Sequence, residues 1–300
     1  MTTVVKDMSP EELSRRCLKP DPNRMGSWTA RRWGRPAALR ITRIVAPYGW
    51  SANSATLAAC SCAAFACACL AWGGRWSLLT GCLLLQLWYV LDHVDGQLAR
   101  LHDTASLDGA AWDYLMHHGV QLIVPQSLGF GLFRETGSTA FLLAGAVWGW
   151  SALLIGLRHD VRYKAFVQRL KRVHGELRVV GGGGERPQPG GLPQPTWRSR
   201  IAWLVMKVYE THVVVGVLTA LAIIHCFVAS SGDGLLIIYV SAMALPAPFV
   251  AVYLIAKMVR GGQAEREFSL WFRVPEGAEL SFRDGWWHVE APADSERREG

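Results

Sequence analysis

The chain reads as an all-α integral membrane protein. It is expected to have six transmembrane helices, an N-terminal amphipathic interfacial helix and a short polar C-terminal tail. Three observations lead there. Hydrophobic residues fill 51% of its 300 positions and charged residues only 18%, too apolar a balance for an ordinary soluble domain. Windows of about twenty apolar residues, the length that crosses a bilayer core, recur along it. Of the 31 lysines and arginines, only Arg75 and Arg134 fall in the alternate short connections. The rest gather before the first window, between the second and third, between the fourth and fifth, and from the end of the sixth onward. Basic residues collect on the cytoplasmic face, so both termini and the connection after the second span are expected there, at the cytoplasmic membrane. The same distribution accounts for the net charge of +7 without a nucleic-acid face.

Residues 1–45 form a basic, surface-lying prelude. Ser9-Pro10-Glu11-Glu12 has the order of a helix start, with Ser9 as cap, Pro10 in the first turn and Glu12 three residues on. Arg31 to Arg43 mixes arginine with apolar residues, as interfacial helices do. The stretch is charged and lacks an apolar run, so no cleavable signal peptide is expected.

Residues 46–258 hold the six spans: 52–72, 76–98, 108–132, 138–157, 209–230 and 234–257. Cys60, Cys62, Cys67 and Cys69 lie inside the first, among Ala and Ser. There they act as small residues for close helix contact, with no disulfide framework. Within this domain, 159–205 is a basic, Gly/Pro-rich cytoplasmic insertion. Asp160 to Leu177 is expected as a basic surface helix, and Gly181 to Pro195 as a flexible linker. Residues 259–300 turn polar. Phe268–Val274 and Ser281–Val289 alternate like strands, and Asp284-Gly285 marks a hairpin turn.

The chemistry is concentrated where the second span ends and the third begins. There the chain reads Asp92-His-Val-Asp95-Gly96-Gln-Leu-Ala99-Arg100, then eight residues, then Gly109-Ala-Ala-Trp-Asp113-Tyr-Leu-Met-His117. Carboxylates at a membrane edge are costly and by default mark a functional site. Asp92 and Asp95 are three apart and Asp113 and His117 four apart, so each pair shares one face of its helix. Two such pairs on adjacent helices can converge on a divalent cation. Arg100 suits a phosphate because its planar fork offers paired donors. Gly96 lets backbone come close to a ligand, while Ala99 and Gly109 suit helix contact. Asp103, Asp108, His93, His102 and His118 are expected to stand outside the chemistry, with Asp108 at the start of span three and Asp103 solvated.

This block resembles the signature of the CDP-alcohol phosphotransferases, Asp-x2-Asp-Gly-x2-Ala-Arg-x8-Gly-x3-Asp-x3-Asp. Every fixed position matches except the last, where the family has aspartate and this chain has His117. Asn53-Ser-Ala-Thr56 is similar to an element at the family's first span. The resemblance implies a membrane enzyme that moves a phosphatidyl or related phospho-alcohol group from a CDP-linked donor, with CDP-diacylglycerol foremost, to a hydroxyl acceptor, releasing CMP. It implies Mg2+ or Mn2+ held by Asp92, Asp95, Asp113 and His117. The nucleotide would lie over Gly96, Ala99, Arg100 and Gly109, catalysis would involve Asp113 and His117, and the protein would be a homodimer among membrane lipid. Three roles stay open for His117: the general base, a ligand that shifts metal preference, or the mark of an inactive metal- or nucleotide-binding relative with a regulatory role.

Overall fold

The computed structural model describes residues 8–18, 27–179, 197–227, 232–275 and 277–290. The expected Gly/Pro linker over 181–195 lies outside them. The chain divides into two compact units, residues 1–153 with 201–248, and residues 154–200 with 249–300.

In the first unit, α1 (Pro10–Cys17) begins as its sequence requires: Ser9 caps it by accepting from the Glu12 backbone N–H. Helix α2 (Arg35–Val45) follows a single π-turn, Ala30–Gly34. Helix α3 (Ala52–Trp72) is capped by Ser51, and Gly73 and Gly74, both at positive φ, turn the chain into α4 (Arg75–Leu101). The Gly74 N–H is held by the Glu135 carboxylate. Helix α5 (Leu107–Thr136) is capped by Ser106, with Asp108 in its first turn. Then come α6 (Ala140–Leu170), α7 (Trp197–Val208), α8 (Thr211–Phe227) and α9 (Gly232–Ala244).

Four stretches among the described residues are long and apolar enough to cross a bilayer: Ala52–Trp72, Arg75–Leu101, Ala140–Leu170 and Gly234–Arg260. Two of the six expected spans fall outside that set. Helix α5 is 30 residues long, but His117, His118, Gln121 and Gln126 dilute its apolar run. Helix α8 is apolar throughout, but its described residues, Thr211–Phe227, number 17, fewer than the ~20 that a bilayer core requires, and residues 228–231 after them lie outside the described residues.

The packing inverts the usual order of a soluble core. On α3 the small residues Ala55, Ala59, Ala63 and Ala66 are buried while Leu57, Phe65 and Trp72 point outward. Lipid satisfies large apolar side chains as well as protein does. Helix contact is therefore gained by small residues that let backbones approach. Helix α3 lies against α4 and α5 in this way. Helices α5 and α6 also approach backbone to backbone. A Cβ on Gly145 would come 2.6 Å from the Pro125 carbonyl, and one on Gly149 2.5 Å from that of Leu122.

In the second unit, α10 (Ala247–Arg260) leads to α11 (Gln263–Trp271). Strands β4 (Glu279–Arg283) and β5 (Trp286–Glu290) form a hairpin whose turn, Asp284-Gly285, has φ of 53° and 84°, as a type I′ turn needs. Strand β1 (Val173–His174) adds parallel to β5, and β2 (Arg178–Val179) pairs antiparallel with β3 (Phe272–Arg273). Two expectations are corrected here. The alternating stretch 268–274 is helical through Trp271, with only Phe272–Arg273 extended. Glu265 and Glu267 on α11 are fixed by Arg169 and Arg162 of α6, and Phe268 is buried, contacts that a period-two reading cannot anticipate. The helix expected over 160–177 is the continuation of α6, ending at Leu170 and giving way to β1. Arg169 stacks over Phe268 and Trp287 at 4.8 and 4.1 Å, and its hydrogen bonds, then its charge, hold the Glu265 carboxyl below the ordinary range.

The close approach within the first unit is testable. A Cβ at Gly131 would collide with the Leu70 carbonyl, whereas nothing lies within 4 Å of one at Gly119. Gly131→Ala is expected to destabilise the protein by about 1–3 kcal/mol and to lower the thermal midpoint in detergent. Gly119→Ala is expected to be neutral or slightly stabilising. Equal midpoints for the two variants would contradict backbone contact between α3 and α5.

Candidate metal centre

The second half of α4 carries the first part of the motif, and the first turns of α5 carry the second. Their three- and four-residue spacings turn Asp92, Asp95, Gly96 and Arg100 on α4, and Asp113 and His117 on α5, into one cleft of about 240 Å3. Leu18, Arg35, His93 and Gln97 complete its lining. Gly109 and Ala99 do not line it. The Gly109 N–H is the group that Ser106 caps, and the Ala99 carbonyl accepts from the Thr104 N–H where α4 ends.

His117 stands between two carboxylates. Its Nε2 is 3.2 Å from Asp92 Oδ1 and 3.3 Å from Asp113 Oδ1. One atom from each of the three groups lies within 4.8 Å of the others. A single nitrogen carries at most one hydrogen, so it cannot satisfy both oxygens fully. Asp92 Oδ1 is in fact buried without a hydrogen-bond partner, despite the short contact. Trp88, fully buried, sets its ring edge against the imidazole at 5.7 Å.

Asp95 behaves differently. Its carboxylate turns to α3, where Thr56 donates to Oδ2 at 2.9 Å, so it lines the cleft without joining the cluster of three. His93, expected as a bystander, lies with Nδ1 3.4 Å from Asp92 Oδ2. Its ring is wedged between Tyr89 and the backbone at Gly34, where a Cβ would sit 3.0–3.1 Å from both rings. His118 turns away toward Gln121. His212 pairs with Glu210 at 3.2 Å. Asp103 is exposed, at a φ of 53° just past α4.

The N-terminal helices are bound to the motif by polar ties. Arg100 Nε donates to the Cys17 carbonyl at 2.6 Å. Gln97, almost wholly buried, accepts from Thr42 at 2.8 Å and donates to the Arg35 carbonyl at 3.3 Å. Burial pushes the Cys17 thiol up to about 11, so it stays protonated near neutrality. Gly96 makes room for Arg100, since a Cβ there would sit 3.3 Å from its Nη1. Sequence reasoning gave no role to Thr42, Gln97 or the Cys17 carbonyl. Each acts across helices, and no local pattern signals such a contact. Thr56 had a signal in the Asn53-x-x-Thr56 element.

Two carboxylates and an imidazole converging on one point, with a buried oxygen left unpartnered, form a donor set that fits a divalent cation. No protein-family model matches the chain, and no curated protein matches it.

The tie between Arg100 and α1 gives a direct readout. Arg100→Met removes a charged hydrogen bond, worth about 1.5–3 kcal/mol, and releases α1. Cys17, fully buried, is then expected to react with maleimide much faster, measured on its own peptide by mass spectrometry. Unchanged protection of Cys17 would show that α1 is held by apolar contacts alone.

Proposed function

We propose that the protein is a membrane-embedded phosphotransferase. It transfers a phosphatidyl or related phospho-alcohol group from a CDP-linked donor, CDP-diacylglycerol foremost, to a hydroxyl acceptor with release of CMP, in phospholipid synthesis. The observation that carries this reading is the convergence of Asp92, Asp113 and His117, from two helices, in the cleft that also holds Arg100 and Gly96. The motif resemblance demands that convergence, and chance spacing does not produce it.

Asp92 and Asp113, with His117 beside them, would hold a divalent cation, Mg2+ or Mn2+, which would supply charge neutralisation to the donor's two phosphates. The chain's own residues do the remaining work. Arg35 and Arg100 bring positive charge to the cleft for the phosphates, and the Nη groups of Arg100 stay beside Gly96 while its Nε is engaged. The acceptor oxygen attacks the phosphorus that carries the alcohol group, and that phosphorus loses its bond to the bridging oxygen of CMP. The hydroxyl proton passes to Asp113 or His117, whose side chains are 40% and 34% exposed, whereas Asp92 is sealed. Asp95 and Thr56 brace α4 against α3.

In this reading α5 and α8 also cross the membrane, giving six spans with both termini and the cleft at the cytoplasmic face. The polar residues of α5 are then tolerated because they face the cleft and the bundle rather than lipid. The enzyme works as a homodimer within the lipid that supplies its donor.

The test is CMP release by detergent-purified protein given CDP-diacylglycerol or soluble CDP-alcohols, an acceptor panel, and Mg2+ or Mn2+. Wild type is expected to turn over. Asp92→Ala and His117→Ala are each expected to lose at least ~100-fold, the lower bound for removing a positioned proton acceptor or metal ligand. No CMP from any donor would sink the transferase and leave a binding protein built on the same site.

A further inference from the structure

The cluster also bears on which cation the centre selects, an inference that rests on the metal-holding part of the function proposed above. We propose that His117 Nε2 is itself a metal ligand. The centre is then a mixed nitrogen–oxygen site that favours a nitrogen-accepting transition dication of the Mn2+ to Zn2+ series over Mg2+.

Donor atoms bound at about 2.0–2.2 Å to one ion lie roughly 3–3.5 Å from one another. The nitrogen of His117 is 3.2 and 3.3 Å from its two carboxylate oxygens, the spacing of neighbouring ligands. Asp92 independently points to an ion. Its side chain is 7% exposed, it lines the cleft, and its Oδ1 has no hydrogen-bond partner. A buried carboxylate oxygen without a hydrogen bond is expensive, and a cation shared with the neighbouring His117 nitrogen would remove the cost. Asp95 lines the cleft but has one oxygen engaged by Thr56 and stands outside the cluster of three, so the nearest donor set is two carboxylates and a nitrogen.

Mg2+ demands near-ideal oxygen coordination, whereas imidazole ligation favours transition dications. Trp88 packs against the imidazole in a T-shaped arrangement, ring centroids 5.7 Å apart, which restrains the turning of the ring. With Nε2 on the metal, Asp113, the most exposed of the three groups, is left to accept the proton of the acceptor hydroxyl.

The experiment uses the full chain, purified in detergent, stripped of metal and loaded with Mn2+ without substrate. Electron spin-echo spectra of wild type are expected to show coupling to an imidazole nitrogen. That coupling is expected to vanish in His117→Asp and in His117→Gln, while surviving in His93→Gln. Mg2+ is expected to displace Mn2+ more readily from His117→Asp than from wild type. Bound Mn2+ with no nitrogen coupling, coupling that survives both His117 variants, or binding indifferent to Asp92→Asn would each overturn the proposal. The readout needs no turnover, so the two readings fail separately. A preparation that releases CMP without nitrogen coupling sinks this inference alone. One with coupling and no CMP from any donor sinks the transferase alone.

Discussion

The constraint on which the rest of the site depends is the placement of Asp92, a nearly sealed carboxylate on an apolar helix. Burying an ionised group without partners costs several kcal/mol or more, so everything around Asp92 has to compensate. His117 and His93 approach its two oxygens from opposite sides, and the cleft brings Arg35 and Arg100 to the same rim. Even so, one oxygen keeps no hydrogen bond. That arrangement leaves room for a cation beside the oxygen in the proposed site.

Holding such a cluster demands rigid helices, and the small-residue packing supplies them. Alanines on α3 and glycines on α5 and α6 bring backbones into contact, leaving little freedom for α4 and α5 to slide past each other. Because Asp92 sits on α4 while Asp113 and His117 sit on α5, a slide of one helical turn would separate the donors by about 5.4 Å. The proposed chemistry therefore depends on contacts made without a polar side chain. Thr56, Gln97 and Thr42 add polar ties where the backbones spread toward the cleft, fixing register in the region that close packing does not reach.

Much of this was legible in the sequence, and what was not has physical reasons. The helical character, the apolar stretches and the spacing that turns Asp92, Asp95 and Arg100 to one face follow from composition and a 3.6-residue period. The cap at Ser9 and the turn at Asp284-Gly285 are local and were readable as such. The strand expected over 268–274 fails because its residues suit both periods over so short a run, and the choice is made by Arg162 and Arg169, about a hundred positions away. Two apolar windows that look like spans fall outside the candidate set, α8 because its described residues end at Phe227 and α5 because His117, His118, Gln121 and Gln126 interrupt its apolar run. Asp95 is the instructive case at the site. Its spacing marks it as a partner of Asp92, but a threonine on another helix decides where its carboxylate points.

That decision changes what His117 must do. In an all-aspartate cluster each donor offers two oxygens and one of them can swing away at little loss. Here Asp95 is already turned to Thr56, and a single imidazole nitrogen with one usable lone pair sits between two oxygens. The nitrogen cannot both hold a cation and take a proton in the same step. The proposed centre thus would separate two duties that a carboxylate can combine, ligation at the imidazole packed against Trp88 and proton acceptance at the more exposed Asp113. In the proposed centre a histidine at this position is then not a weakened aspartate, because it would redistribute the work of the cluster.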